Sequence, residues 1–251
     1  MRFAARSAVL ILAAVGLLSP RGNLSTASPG CSLLQQTPPG AVTHPSLNIV
    51  VLDPAHGGTD PGARGVGGTR ESELVLSLSL QARAALEKQG FSVIETRQSN
   101  DNPSFDDRSA LANAQRGAIF VSFHVGSTGM AGTVRAYTLP DSGVALNSRG
   151  PLVPWDRAQD AFQPMSRRLA ELVQSELALR FKGSPTVAPS ANIRQLRTIA
   201  LPAIAIELSS VSAEDHETLD KMMPGVADAV ARAIAAYKPV FDATPLPGTV
   251  Q

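Results

Sequence analysis

The sequence predicts an α/β fold: one domain built on a twisted, mostly parallel mixed sheet with helices on both faces. Strand-like apolar runs alternate along the chain with segments whose apolar residues recur at helical spacing. There is no internal repeat, and 251 residues with 43% hydrophobic and 17% charged side chains suffice for one sizeable core. Three of the apolar runs lead into an ionisable residue, as strands of open α/β sheets do where they open onto a ligand crevice.

Taken in order, residues 48–52 form a short β-branched run closed by Asp53-Pro54, a first buried strand. Leu74, Leu78, Ala82 and Ala85 mark a helix over residues 73–89, and Gly90 stands where a left-handed stop belongs. Residues 91–96 follow as a second strand. Ser104 with Asp107 three residues on resembles a capping box, opening a helix through Gln115. Residues 118–123 are the most apolar strand, and 132–139 alternate as a strand at an edge would. Met165, Leu169, Leu172 and Val173 place a helix over residues 158–180, and the run 199–206 ends in a buried strand. Residues 213–237 read as a closing helix, interrupted or kinked near Pro224.

Outside these limits the chain is different in kind. Arg2 and Arg6, an apolar run over residues 8–18, then Pro20 and Gly22 make a signal-peptide pattern, too short to span a bilayer comfortably, with cleavage near Ala27. The alternative is an uncleaved anchor. Expected boundaries are a signal peptide over 1–27, a flexible tether over 28–46, the folded domain over 47–238 and a disordered tail over 239–251, implying export to the periplasm or cell envelope with no stable span after processing. Cys31 is the single cysteine, so no intramolecular disulfide forms; its lipidation is a minority reading, because Ser28-Pro29-Gly30 fits a lipoprotein cleavage site poorly. A formal charge of +1 gives no electrostatic reason to expect nucleic acid.

His56 lies just past the first strand, His124 at the end of the 118–123 run, and Glu207 at the end of the 199–206 run, while Glu71 stands at the mouth of the first helix. Two imidazoles and one carboxylate are the ligand set of catalytic zinc sites, which leaves Glu207 as a base. A bland reading accompanies each residue. His56 alone is a loop histidine, Glu71 and Glu73 favour the helix dipole, and Glu207 is a buried partner of Arg135 or Arg197. His44 in the tether and His216 on a polar helix start are not expected to be ligands.

These residues follow one order over residues 48–237: Asp53-Pro54-Ala55-His56-Gly57-Gly58, Asp60-Pro61-Gly62-Ala63, Glu71, Thr96-Arg97, Arg108, Ala112-Asn113, Ser122-Phe123-His124, then Pro202 before an apolar run ending in Glu207. The order resembles the zinc-dependent N-acetylmuramoyl-L-alanine amidase family, in its cell-separation and spore-lysis types. The resemblance implies one Zn2+ bound by His56, Glu71 and His124, with Glu207 as the catalytic carboxylate in hydrolysis of the muramoyl–L-alanine amide of peptidoglycan. The register Leu74, Leu76, Leu78, Leu80 selects Glu71 over Glu73 as ligand. This chain has Ala55 where the family usually has glycine, Val125-Gly126 where a small residue and asparagine follow the second histidine, and Ser209-Ser210-Val211 after the glutamate. Peptidoglycan or muramyl peptides are the implied partners. An activator protein is a further one, since family members often carry a helix over the zinc cleft; residues 147–161 with Trp155 are either that helix or an ordinary loop. Two other functions stand: a zinc peptidase on stem peptides, and a degenerate domain that binds wall fragments without cutting them.

Overall fold

The computed structural model describes residues 44–143, 154–211 and 216–247. The signal peptide, nearly all of the tether, Cys31 and residues 147–153 lie outside the described residues.

The apolar runs become strands β1 (Ile49–Pro54), β2 (Ser92–Glu95), β3 (Ala118–Gly126), β4 (Thr133–Tyr137) and β5 (Ala203–Ser209). They form one sheet in the order β2-β1-β3-β5-β4, parallel except for β4, which runs antiparallel beside β5. The helices are α1 (Glu71–Lys88), α2 (Phe105–Asn113), α3 (Gln163–Arg180), α4 (Arg194–Arg197) and α5 (His216–Ala243).

Because side chains alternate across a strand, each central strand feeds two cores. Val50, Leu52, Ile119, Val121, Phe123, Ile204 and Ile206 pack on one face against Leu74 and Leu78 of α1, Leu169 and Val173 of α3, and Val230 and Ile234 of α5. Val51, Phe120, Ala203 and Ala205 point the other way, onto Ala112 of α2 and Leu196 of α4. The edge strand β4 is closed by an amide that imitates a peptide unit. Gln174 of α3, fully buried, accepts from Ala136 N at 2.7 Å and donates to Val134 O at 3.4 Å.

The Ser104–Asp107 capping box is present in both directions. The helix expected over 158–180 divides into a 3-10 stretch, Trp155–Phe162, and α3, which starts at Gln163 because Pro164, lacking an N–H, fits the first turn of a helix better than its interior. At the other end α5 is not interrupted at Pro224; it runs through Pro224 and Pro239 to Ala243. Residues 239–243, assigned from the sequence to a disordered tail, are its last turn. Phe241 lies four residues after Tyr237, hence on the same helix face, and both are at most 1% exposed. The Asp242 carboxylate accepts from Leu47 N at 2.7 Å, tying this turn to the start of β1. No described helix is long and apolar enough to cross a membrane.

Candidate metal centre

From β1 the chain moves outward to β2 and then back across to β3, so the carboxyl ends of β1 and β3 flank the point where strand order reverses. There the loops diverge and a crevice opens. His56 sits two residues beyond β1. Pro54 pairs with Phe123, so His124 is the first residue of β3 past the reach of β1, and its imidazole stands clear of that neighbour. Glu71 is the first residue of α1 and is 4% exposed, whereas Glu73 turns outward to Arg70 at 3.5 Å.

The fold brings three of the four sequence-named residues together: one ligating atom from each of His56, Glu71 and His124 lies within 4.8 Å of the others. His56 Nε2 is 3.2 Å from Glu71 Oε2, and His124 Nδ1 is 3.1 Å from Glu71 Oε1, with the two rings nearly perpendicular. The carboxylate also accepts from Ala63 N at 2.8 Å and Val125 N at 2.9 Å. Burial alone would raise the Glu71 carboxyl, but hydrogen bonds to His124, His56 and Ala63 N outweigh it and hold the group far below the usual carboxylate range. His56 is pushed up to about 9, first by its bond to Glu71, against burial, and then by Asp60. Two imidazoles drawn onto one desolvated carboxylate are a donor set that fits a divalent metal ion.

The loop carrying His56 is held by groups that sequence reasoning recorded without a role. His56 itself has a left-handed backbone, φ 62°, which a residue with a Cβ keeps only under external constraint. Two buried arginines supply it. Arg97 donates to the carbonyls of Pro54 at 2.7 Å, Ala55 at 2.8 Å and Ser72 at 2.8 Å. Arg108 donates to Pro54 O at 3.0 Å and His56 O at 2.9 Å while pairing with Asp53 at 2.7 Å. Asp53 in turn accepts from Thr96 and from Ser122, each at 2.7 Å. On the imidazole, Nδ1 is bound by Asp60 Oδ2 at 2.8 Å, which leaves Nε2 facing the site. Gly62, φ 65°, closes the loop where a Cβ would lie 2.5 Å from Glu71 Oε2. The signal for these roles was in the motif order, but only the fold shows what each residue holds.

Glu207 is in register with His124 on the adjacent parallel strand, so both side chains leave the same face of the sheet. Its neighbour Gly126 leaves it room, since a Cβ there would sit 3.0 Å from Glu207 Cδ and press the carboxylate aside. Tyr137 Oη donates to Glu207 Oε1 at 3.4 Å; burial, then the charge of Glu207, raises the phenol and keeps that proton in place. Neither arginine considered as a partner for Glu207 pairs with it among the described residues. Arg135 lies opposite Glu207 across β4 and β5 but donates to Ser209 Oγ at 2.9 Å and Thr133 Oγ1 at 3.3 Å. Arg197 lies among Asp156, Asp160 and Leu139. A cavity of about 350 Å³ adjoins the two histidines and is lined by Asp60, Phe105, Arg108 and Gln195. The 3-10 stretch does not reach it. Gln159 binds Leu201 O at 3.1 Å just before β5 begins, so the described part of the segment considered as a cover lies at the opposite sheet edge.

The chain matches the family described as N-acetylmuramoyl-L-alanine amidase over residues 50–236. It is 29% identical to the amidase AmiC of Neisseria meningitidis, over 76% of this chain and 53% of that protein. It is 32% identical to the sporulation-specific N-acetylmuramoyl-L-alanine amidase of Bacillus subtilis, over 63% of this chain and 54% of that protein, so it spans about half the length of these relatives. Among solved structures it resembles the amidase AmiC2 of Nostoc punctiforme, with a TM-score of 0.58, 26% identity and coverage of 76% of this chain and 96% of that one. The CwlD amidase of Clostridioides difficile, solved in complex with the GerS lipoprotein, shares the fold at TM-score 0.61 and 20% identity, over 77% of this chain and 99% of that one. With the family match extending from β1 to the penultimate turn of α5, the chain belongs to the N-acetylmuramoyl-L-alanine amidase family.

Proposed function

We propose that this protein is an exported zinc-dependent amidase that hydrolyses the amide between N-acetylmuramic acid and L-alanine in peptidoglycan. The observation that carries the reading is the placement of Glu207 beside His124, in register on the next strand, in a chain of this family whose His56, Glu71 and His124 converge. His56, Glu71 and His124 would hold the zinc ion, which supplies a Lewis acid and a water whose pKa is lowered from 15.7 to about 7.

The remaining chemistry falls to side chains of this chain. Glu207 accepts the proton of the attacking water and returns it to the nitrogen of L-alanine as the C–N bond breaks, yielding a lactyl carboxylic acid and a free amine. Tyr137 orients that carboxylate by its hydrogen bond. Asp60 fixes the His56 ring so that Nε2, not Nδ1, faces the site. No serine or cysteine nucleophile is required. Export rests on the N-terminal basic residues and apolar run.

The test is digestion of defined muramyl peptides by the purified full chain, zinc-loaded and chelated, with products read by mass spectrometry. A new amino terminus at L-alanine, lost with chelator, supports the amidase. Cleavage between stem residues identifies a peptidase instead, and binding without hydrolysis at any metal load identifies a degenerate binding domain. Glu207→Gln should keep its zinc and lose at least about a hundredfold in kcat, the scale of one general acid–base group; retained turnover overturns its role.

A further inference from the structure

The two flanks of the metal centre differ in chemistry. Toward α2 and α4 lies the cavity with the half-exposed ring of Phe105, stacked under Arg194 at 4.5 Å. Toward β4 stands Arg135. It leaves the sheet on the same face as Glu207, directly opposite it in the antiparallel pair. Its bonds to Thr133 and Ser209, the pair one step nearer the metal edge, direct the guanidinium toward that edge.

Both bonds use the same nitrogen, Nη1, and both acceptors are neutral hydroxyls. Among the described residues no carboxylate lies within ion-pair distance of Arg135, although the side chain is half-buried and a guanidinium presents five donors in a rigid fork. Gly126 ends β3 and Gly129 follows in the adjoining turn; a Cβ on Gly129 would lie 2.8 Å from Ser209 Oγ and 3.4 Å from Arg135 Nη1, so that turn passes close to the guanidinium. A half-buried guanidinium that, among the described residues, bonds only hydroxyls, on the strand beside the proton-handling residue, is a site for an anionic group of a ligand.

Building on the proposed function, we propose that Arg135 is a specificity residue that binds a free carboxylate of the peptide half of the substrate, on the acidic residue following L-alanine. The chemistry of the substrate assigns the side. Once the lactyl carboxyl is engaged in the amide, the sugar half is uncharged, whereas the peptide half carries carboxylates. The peptide therefore lies along β4, over Gly126 and Gly129, and the sugar occupies the cavity on the Phe105 flank.

The experiment compares muramyl-L-alanyl-D-isoglutamate, which bears a free α-carboxylate, with the corresponding isoglutamine, in which that group is an amide. The zinc-loaded full chain should favour the acid by at least about tenfold in kcat/KM, the worth of one charge-assisted hydrogen bond, with the difference in KM. In Arg135→Gln the ratio should collapse toward one, and Arg135→Lys, which keeps charge without the fork, should restore part of it. A purely structural tie between β4 and β5 would lower both substrates equally and leave the ratio; that result, or a wild-type ratio near one, overturns the proposal. Calorimetric Kd values for the two peptides, taken on the full chain without turnover in Glu207→Gln, separate the two readings. A protein that binds the acid selectively through Arg135 yet cuts neither peptide refutes the amidase and supports the carboxylate subsite; one that cuts both with no selectivity does the reverse.

Discussion

Asp60→Ala tests whether His56 is oriented as a metal ligand or merely hydrogen-bonded in its loop. Asp60 Oδ2 binds His56 Nδ1 at 2.8 Å, and its side chain is about half exposed, so removing it should cost the metal-free fold little. Its effect on metal should be larger. A carboxylate on the far nitrogen of a ligating imidazole fixes the tautomer and raises ligand basicity, and its loss costs about 10–100-fold in metal affinity, or roughly 1.4–2.7 kcal/mol. Protons complicate the reading at neutral pH. In the metal-free protein His56 is pushed up to about 9, in part by Asp60, so the substitution also weakens the proton that competes with metal. The affinity is therefore measured by competition with a chromophoric chelator at pH 7 and again above pH 9, where His56 is largely neutral and the full loss should appear. Unchanged affinity above pH 9, or a loss of metal-free folding stability as large as the loss of binding free energy, would refute the assignment.

Other outcomes follow from the same geometry. Gly62→Ala drives a Cβ to 2.5 Å from Glu71 Oε2 and 2.6 Å from His56 Cδ2 and should cut metal affinity at least about tenfold, whereas Gly67→Ala, at φ 72° with nothing within 4 Å, should cost only the left-handed strain of about 1–2 kcal/mol and keep its metal. Asp53→Asn leaves Arg108 charged and buried without its partner at 2.7 Å; a loss of about 3–5 kcal/mol should lower Tm by roughly 6–20 °C in calorimetry. Since His56 holds its proton below about 9 and must shed it to act as a ligand, zinc binding at pH 7 should release a proton and strengthen as pH rises toward 9, read as a buffer-dependent enthalpy in titration calorimetry.

Much of the architecture was legible because it depends on local pattern. The runs around Val50, Phe120 and Ile204 are too apolar for anything but buried strands, and the box at Ser104 opens a helix by its own two hydrogen bonds. Errors arose where tertiary contact overrides local signal. Pro224 and Pro239 each withdraw a donor, yet α5 continues because Val226, Val230, Ile234, Tyr237 and Phe241 bury a continuous apolar face. Gln174 is an unremarkable polar residue in sequence, and nothing local says that it closes β4.

By itself the sequence determined the order of strands and helices and named His56, Glu71, His124 and Glu207, since spacing, turn residues and strand-end position are properties of neighbouring residues. Only the tertiary structure decided what stands beside what. Register places Glu207 next to His124 and opposite Arg135, and the loop clamp of Arg97, Arg108 and Asp53 reaches across more than 40 residues of chain. Such contacts depend on how distant segments are stacked by the burial of two cores, and that information is distributed over the whole chain rather than written at any one site.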